Sequence, residues 1–328
     1  MTEPRFRPIL MALCALLLVG ACAPRLQEIG SAAVEQQLTD DAAIMPDGAR
    51  LPLRSWTAKR PRAVIVGVHG MNDYSNAFAM PGPWFAKRGV TTYSYDQRGF
   101  GETEQRGVWA GAGIMANDLK AVVALVRRRH PRVPLYVMGV SMGGAVTMKA
   151  MVQGMDVDGV ILVAPAIWGW QAMNPLYKTG LWLGAHTMPW KKATGSGLDI
   201  WPSDNIEMLR AFSRDPQVIK GTRIDAVYGL VTLMDDAYKA APELEKPVLY
   251  LYGAKDRIVP AKPTLHVMSQ ITAPRRLVRY KNGWHMLLRD KQRKRVWSDT
   301  LAWIGDHRAA LPSGEEFDPN KKLASAKP

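Results

Sequence analysis

Residues 135–144 read LYVMGVSMGG, and the fold turns on how this stretch is understood. Residues 135–140 are a short apolar run of strand character, and over residues 142–153 the apolar positions recur at helical spacing. Between them lies Gly139-Val140-Ser141-Met142-Gly143, a G-x-S-x-G. Alone the pattern is weak, because any glycine-rich strand-to-helix turn can satisfy it. Its placement carries the weight. A serine on a sharp strand–turn–helix corner holds its hydroxyl clear of the sheet. Side chains two residues to either side would collide there, so both positions must be glycine. The spacing predicts a nucleophile elbow with Ser141 at its tip.

Outward from that corner, strand-like runs alternate with helical ones. Residues 63–68 (AVIVGV), 90–95 (VTTYSY), 159–163 (GVILV), 248–252 (VLYLY) and 276–280 (RLVRY) have strand character, and residues 114–129 and 295–308 have helical periodicity. This alternation predicts an α/β fold, a mostly parallel central sheet with helices on both faces. Continuous apolar strands fit a sheet covered on both sides. With 328 residues, 47% of them hydrophobic, the chain can bury such a core. One stretch breaks the rhythm. Residues 168–236 show no clear strand, yet hold five of the 11 tryptophans: Trp168, Trp170, Trp182, Trp190 and Trp201. They predict an inserted helical cap over the site, dividing the core into residues 46–167 and 237–310. The plainer reading is a helical subdomain whose tryptophans fill its own core.

A serine hydroxyl needs a base at neutral pH. Of the six histidines, only His285 sits on a post-strand loop downstream of the serine, in Asn282-Gly283-Trp284-His285. His69 follows the 63–68 run beside Gly70 and is better suited to shaping a loop. The order serine, acid, histidine puts the acid between 141 and 285. Asp256 follows VLYLY, where a carboxylate can hold the imidazole tautomer and stabilise the imidazolium. Asp225, Asp235 and Asp236 share the interval, but no evident strand precedes them. The oxyanion of a tetrahedral intermediate needs two backbone N–H donors. Met142 follows the nucleophile, and Met71 lies in the loop after residues 63–68; the plainer role for Met71 is packing. Trp168, Trp170 and Trp182 are candidate substrate contacts. Met173, Met188 and Met208 add flexible apolar surface that suits an acyl chain.

Five stretches, HGMNDYS (69–75), DQRGFGET (96–103), GVSMGG (139–144), YGAKDRIVP (252–260) and NGWHMLL (282–288), together resemble the monoacylglycerol lipase and lysophospholipase branch of the α/β-hydrolases, the serine aminopeptidase S33-type group. The resemblance spans about residues 45 to 308 in motif order. It implies the α/β-hydrolase fold, a triad of Ser141, Asp256 and His285, and oxyanion donors at Met71 and Met142. Asp96, Arg98 and Gly99 would brace loops beside the site. Thr103 stands where such proteins often carry serine, and keeps the hydroxyl. Members differ most in the cap, so the substrate transfers least.

The two cysteines are Cys14 and Cys22, so no intrachain disulfide staples the folded domain. No His/Cys cluster has zinc spacing, and neither metal nor cofactor is expected. Lys+Arg 43 against Asp+Glu 29 gives a formal charge of +14, which attracts anionic surfaces. The basic clusters at 127–129 and 291–295 fall in amphipathic stretches and read as solvated helix faces, so no nucleic-acid partner is expected. Arg5 and Arg7 precede an apolar run at 9–19 that is too short to span a bilayer. The run ends in Val19-Gly20-Ala21-Cys22, which resembles the lipobox of bacterial lipoproteins. That resemblance implies a signal peptide at 1–21, lipidation of Cys22 and attachment in the bacterial cell envelope. With Ala23 next, it implies the outer membrane facing the periplasm in a Gram-negative source. An ordinary secretory signal is the alternative. Residues 22–45 read as a polar tether with some helical character, and residues 311–328 as a disordered tail.

The expected chemistry is hydrolysis of acyl esters through an acyl-enzyme, on monoacylglycerols, lysophospholipids or similar single-chain lipids. A serine aminopeptidase or amidase is the alternative enzyme. It would need carboxylates for a free amino terminus, and Asp199, Asp204 and Glu207 are the candidates. A third reading is a non-catalytic surface binding protein that kept the fold, though a binder has no need of all three triad groups.

Overall fold

The computed structural model describes residues 23–318 except 32, 196, 198 and 199. The signal at 1–21 and Cys22 lie outside the described residues. Among those described, nine strands form one sheet. They are β1 (Gln37–Leu38), β2 (Ala42–Ile44), β3 (Arg50–Trp56), β4 (Ala63–Val68), β5 (Val90–Tyr95), β6 (Leu135–Val140), β7 (Gly159–Val163), β10 (Val248–Gly253) and β11 (Arg275–Tyr280). Their spatial order is β1-β2-β3-β5-β4-β6-β7-β10-β11. From β5 to β11 every neighbour is parallel, and β1, β2 and β3 are added antiparallel at one side. The α/β-hydrolase architecture expected from the alternation is present, with helices on both faces.

Period-two alternation explains the two cores. Val64, Val66 and Val68 of β4 enter one cluster with Val137, Leu162 and Tyr250. Ala63 and Ile65 enter the other, with Met138, Ile161, Leu249, Phe78, Phe85 and Trp303. The first is covered by α2 (Ala112–Arg129) and α3 (Met142–Val152), the second by α1 (Pro81–Ala86) and α8 (Arg293–Gly305). Between α7 (Ala261–Gln270) and the sheet lie Val267 and Met268. β4, β5, β6, β7 and β10 are buried on both faces, so β4, β6, β7 and β10 read as nearly continuous apolar runs, while β5 keeps Thr91, Thr92 and Ser94 among its buried positions.

The edges depart from expectation. Residues 37–44 were expected in the tether but form β1 and β2, and β3 was not evident at all. Its sequence RLPLRSW puts Leu51, Pro52 and Leu53 inward while Arg50, Arg54 and Ser55 face out, a polar pattern proper to a strand near the sheet margin. Upstream, the chain is strapped to the core. Gln27 donates from its N–H to Trp109 O (3.0 Å) and from Nε2 to Val108 O (2.9 Å), and Arg25 N–H donates to Asp225 Oδ2 (3.3 Å). At the other end, residues 311–318 are not the loose tail expected. Glu316 bridges Val278 of β11, Phe317 N–H donates to Leu277 O (3.0 Å), and Arg276 pairs with Glu316. An edge strand carries unpaired backbone groups, and this segment satisfies some of them.

Between β7 and β10 the chain forms α4 (Pro175–Thr187), β8 (Lys192–Ala193), α5 (Ile206–Arg214), β9 (Thr222–Arg223) and α6 (Ile224–Ala240). β8 and β9 pair antiparallel in a small separate sheet. α6 lies on α3, where Lys149 Nζ meets Asp236 Oδ2 at 2.7 Å, and Gly229 lets Trp109 approach closely.

Arg98, 8% exposed, joins distant parts of the core. Its Nε donates to Asp118 Oδ2 on α2 (2.7 Å) and its Nη1 to Asp47 Oδ2 in the turn after β2 (2.6 Å). Burial pushes the Asp118 carboxyl up, whereas the Arg98 hydrogen bond holds Asp47 below the usual carboxylate range. Arg98→Met strands a buried carboxylate, and we expect it to lower unfolding free energy by about 3–5 kcal/mol in urea titrations. An unchanged midpoint would mean that the ion pairs contribute nothing to cohesion.

Candidate active site

Ser141 sits between β6 and α3 with φ 52° and ψ −118°, a left-handed geometry that costs a side-chain-bearing residue about 1–3 kcal/mol. The glycines around it are sterically required. A Cβ on Gly143 would stand 2.2 Å from Val68 O, and one on Gly139 would stand 2.5 Å from Gly143 O. Ser141 N–H donates to Val163 O (3.0 Å), and its carbonyl accepts from Ala166 N–H (2.9 Å), so β7 holds the corner from the side. The serine is partly exposed while Met142 behind it is fully buried. Met142 opens α3, where its N–H has no intrahelical acceptor.

Gly70 follows β4 and passes over the serine: a Cβ there would lie 3.2 Å from Ser141 Cβ and 3.8 Å from Oγ. His69 fixes this loop, as its sequence position suggested. Its Nε2 accepts from Gln97 N–H (3.0 Å), so Nδ1 carries the proton and donates to Gly70 O (2.8 Å). Burial pushes the imidazole down, which keeps it neutral and unsuited to base chemistry. Met71 comes next, half-buried. Asp96 accepts from Ser75 N–H (2.8 Å) and Glu102 N–H (2.9 Å), and Thr103 Oγ1 accepts from Gly99 N–H (2.9 Å), bracing the neighbouring loop.

Asp256 follows β10 and His285 follows β11. Asp256 is 8% exposed and His285 6%. Nδ1 of His285 lies 2.8 Å from Asp256 Oδ2. The other carboxylate oxygen accepts from Ile258 N–H (2.8 Å) and Val259 N–H (3.0 Å). All three candidates thus leave the sheet at the carboxyl ends of its strands, where open α/β sheets place their chemistry. The rival acids are engaged elsewhere. Asp225 is buried against Arg223 (Nε–Oδ1 2.9 Å), Asp235 pairs with Lys239 (2.7 Å), and Asp236 with Lys149. Asp225 does follow a strand, contrary to expectation, but that strand is two-residue β9 in the small sheet.

The contacts of the three singled-out tryptophans lie within the insertion. Trp168 Nε1 donates to Ala172 O (3.2 Å) and Trp170 Nε1 to Thr232 Oγ1 (3.2 Å). Trp182 stacks on His186 at 4.4 Å. Trp170 and Trp182 line an open depression of about 330 Å³ with Lys178, Thr179 and Tyr228. Asp73, Arg289 and Asp290 escaped the sequence reading. Arg289 pairs with Asp73 in the loop after β4, and Asp290 accepts from Trp284 N–H (2.8 Å). The only signal was a charged pair, Arg289-Asp290, closing an apolar stretch. Among the described residues, no group of three or more His, Cys, Asp or Glu is placed to hold a metal ion.

Over 277 residues the chain is 25% identical to a monoacylglycerol lipase of Mycolicibacterium smegmatis, covering 79% of this chain and 94% of that one. It is 24% identical over 277 residues to a monoglyceride lipase of Rattus norvegicus, covering 81% and 89%. A soluble variant of the Saccharomyces cerevisiae monoglyceride lipase, solved with a substrate analogue, superposes with a TM-score of 0.69 at 20% identity over 88% of this chain and 99% of that one. The family model described as "Serine aminopeptidase, S33" matches residues 59–292, a span that takes in the elbow, the Asp256–His285 pair and the insertion between them, and the protein therefore belongs to that family of α/β-hydrolases.

Proposed function

We propose that the protein hydrolyses acyl esters of single-chain lipids, monoacylglycerols or lysophospholipids, through an acyl-enzyme on Ser141. The observation that carries this is the buried 2.8 Å contact between His285 Nδ1 and Asp256 at the same sheet end as the strained serine. Nδ1–H donates to the carboxylate, which leaves Nε2 as the free lone pair, the tautomer a base requires. The carboxylate cannot turn away, because Ile258 and Val259 hold its other oxygen. His285 takes the Ser141 proton as Oγ attacks the acyl carbon. The N–H groups of Met71 and Met142 receive the oxyanion. His285 then returns the proton to the departing alcohol oxygen, and water repeats the sequence on the acyl-enzyme.

The relatives named as monoacylglycerol and monoglyceride lipases support a glycerol ester as substrate. The apolar surface of the insertion supports an acyl chain, with Trp168, Trp170 and Trp182 as its contacts. The amide alternative has less support. Asp204 is engaged by Lys291 N–H (2.8 Å), Glu207 is exposed at the start of α5, and Asp199 lies outside the described residues. The complete triad set argues against a mere binder. Among the described residues no helix is long and apolar enough to cross a membrane, so membrane attachment in this proposal rests on lipidated Cys22 in the cell envelope.

A series of p-nitrophenyl esters and 1-monoacylglycerols, run beside aminoacyl p-nitroanilides, tests the substrate class. We expect kcat/KM on the esters to rise about three- to fourfold per added methylene until the chain fills its site, in keeping with about 0.8 kcal/mol per buried CH₂. Faster turnover of the anilides than of every ester would overturn it.

A further inference from the structure

The loop carrying His285 is tied to the core, where Gly283 O accepts from Lys255 N–H (2.9 Å), and also to the insertion. Two amides flank the histidine. Trp284 N–H donates to Asp290 Oδ2 (2.8 Å), and Met286 N–H donates across to Pro202 O (2.9 Å). Asp290 is itself held from the insertion, where Ser203 Oγ donates to Oδ1 (2.6 Å). Two further bonds complete the seam: Asn205 Nδ2 to Arg289 O (2.9 Å) and Lys291 N–H to Asp204 Oδ1 (2.8 Å). Ser203 and Asp290 are buried, at 1% and 0% exposure. A carboxylate taken wholly out of water, with a hydroxyl and an amide as its partners among the described residues and no basic side chain among them, is an expensive device for mere cohesion. Its two oxygens face different structural units, one the insertion and one the amide beside His285.

We propose that Asp290 is a positioning residue for His285, and that the insertion acts on the histidine through Ser203. Residues 202–205 and 284–291 then move as one body. A shift of this part of the insertion displaces the imidazole, because both amides beside it are tied to residues 202–203, one directly and one through Asp290. The inference rests on His285 being the base.

Protonation gives the arrangement a signature. Burial pushes the Asp290 carboxyl up to about 6. The charged groups around it are His285 on its own loop, Asp204 from the insertion, Lys255 over the Trp284 ring from the β10 loop, and Arg293 of α8, which donates to the Asp290 carbonyl. Arg289 is directed away, to Asp73. As pH falls through about 6, the carboxylate gains a proton and loses acceptor capacity toward Ser203 and Trp284. Protonation of Asp290 then makes its own contribution to the loss of activity in acid.

Full-length protein, Asp290→Asn, Ser203→Ala and the double variant would be compared on p-nitrophenyl butyrate, with thermal unfolding measured on each. We expect either single variant to lower kcat about ten- to hundredfold while KM stays within about twofold, since a misplacement near 1 Å costs on that order. The double variant should cost no more than the worse single one, and Ser203→Thr should restore most of the loss. Below pH 6 the fall of log kcat should be shallower by one proton in Asp290→Asn than in the parent. Should Asp290→Asn fail to fold, Ser203→Ala decides alone. Parental kcat in folded Ser203→Ala, or additive losses in the double variant, would overturn the inference. His285→Ala separates the two levels: activity surviving there removes the base assignment itself, whereas an inactive His285→Ala beside unaffected Ser203→Ala removes only the positioning role.

Discussion

Ser141→Ala should retain no more than about 10⁻⁴ of the parental kcat and should fold as the parent does. In the proposed mechanism the nucleophile is the group whose loss no neighbour can make good: His285 would have no hydroxyl to deprotonate, leaving the binding and oxyanion contribution acting on water. The backbone argument makes the variant clean. Alanine keeps the Cβ, so the φ of 52° and its strain are the same in both proteins. The glycine contacts with β4 and the hydrogen bonds to Val163 and Ala166 do not involve Oγ. Thermal unfolding should therefore coincide, while labelling by a fluorophosphonate disappears. Ser141→Gly extends the test, because relief of the left-handed strain should raise the melting temperature as activity vanishes. Near-parental esterase activity in pure Ser141→Ala would remove the proposed mechanism altogether.

Asp256→Asn should lower kcat by about 10³- to 10⁴-fold with little loss of stability. The two amide donors at Ile258 and Val259 call for an acceptor, so the asparagine carbonyl oxygen takes the place of Oδ1. Its NH₂ then points at His285 Nδ1, where the carboxylate had accepted. A donor there forces Nδ1 to become the acceptor and moves the ring proton to Nε2, the nitrogen needed as base. The geometry survives and the tautomer is wrong. Asp225→Asn and Asp236→Asn meet Arg223 and Lys149 instead, and should leave kcat within a few-fold. The three variants are compared by kcat at saturating ester with unfolding measured alongside. An Asp225 variant as inactive as Asp256→Asn at equal stability would reassign the acid.

What the sequence revealed follows burial. The strands at residues 63–68, 90–95, 135–140 and 159–163 have the bounds expected of them, and β10 and β11 differ by one residue, because β-branched, aromatic and aliphatic residues concentrate in each. The three antiparallel strands at the margin were obscured for the opposite reason: Arg50, Pro52 and Arg54 break the apolar signal where the sheet is covered less. Of the candidate site, the positions of Ser141, Asp256 and His285 after β6, β10 and β11 could be read because those strands could, and that of His69 because it touches Gly70. Ser203, Arg289 and Asp290 were not legible. The Ser203–Asp290 contact spans 87 residues and that of Arg289 with Asp73 spans 216, and no local pattern announces either.

The segment laid along β11 also bears on how copies of this molecule treat one another. β11 ends the sheet, and an open strand there is a template on which a second copy can build. Residues 315–317 occupy part of that template, with Arg279 N–H donating to Glu315 O (3.1 Å) and Phe317 N–H to Leu277 O. Arg276 of the same strand pairs with Glu316, which fastens the segment to that margin. Shortening the chain at residue 310 would uncover the part of β11 that residues 315–317 occupy and leave an open strand on which another copy could build.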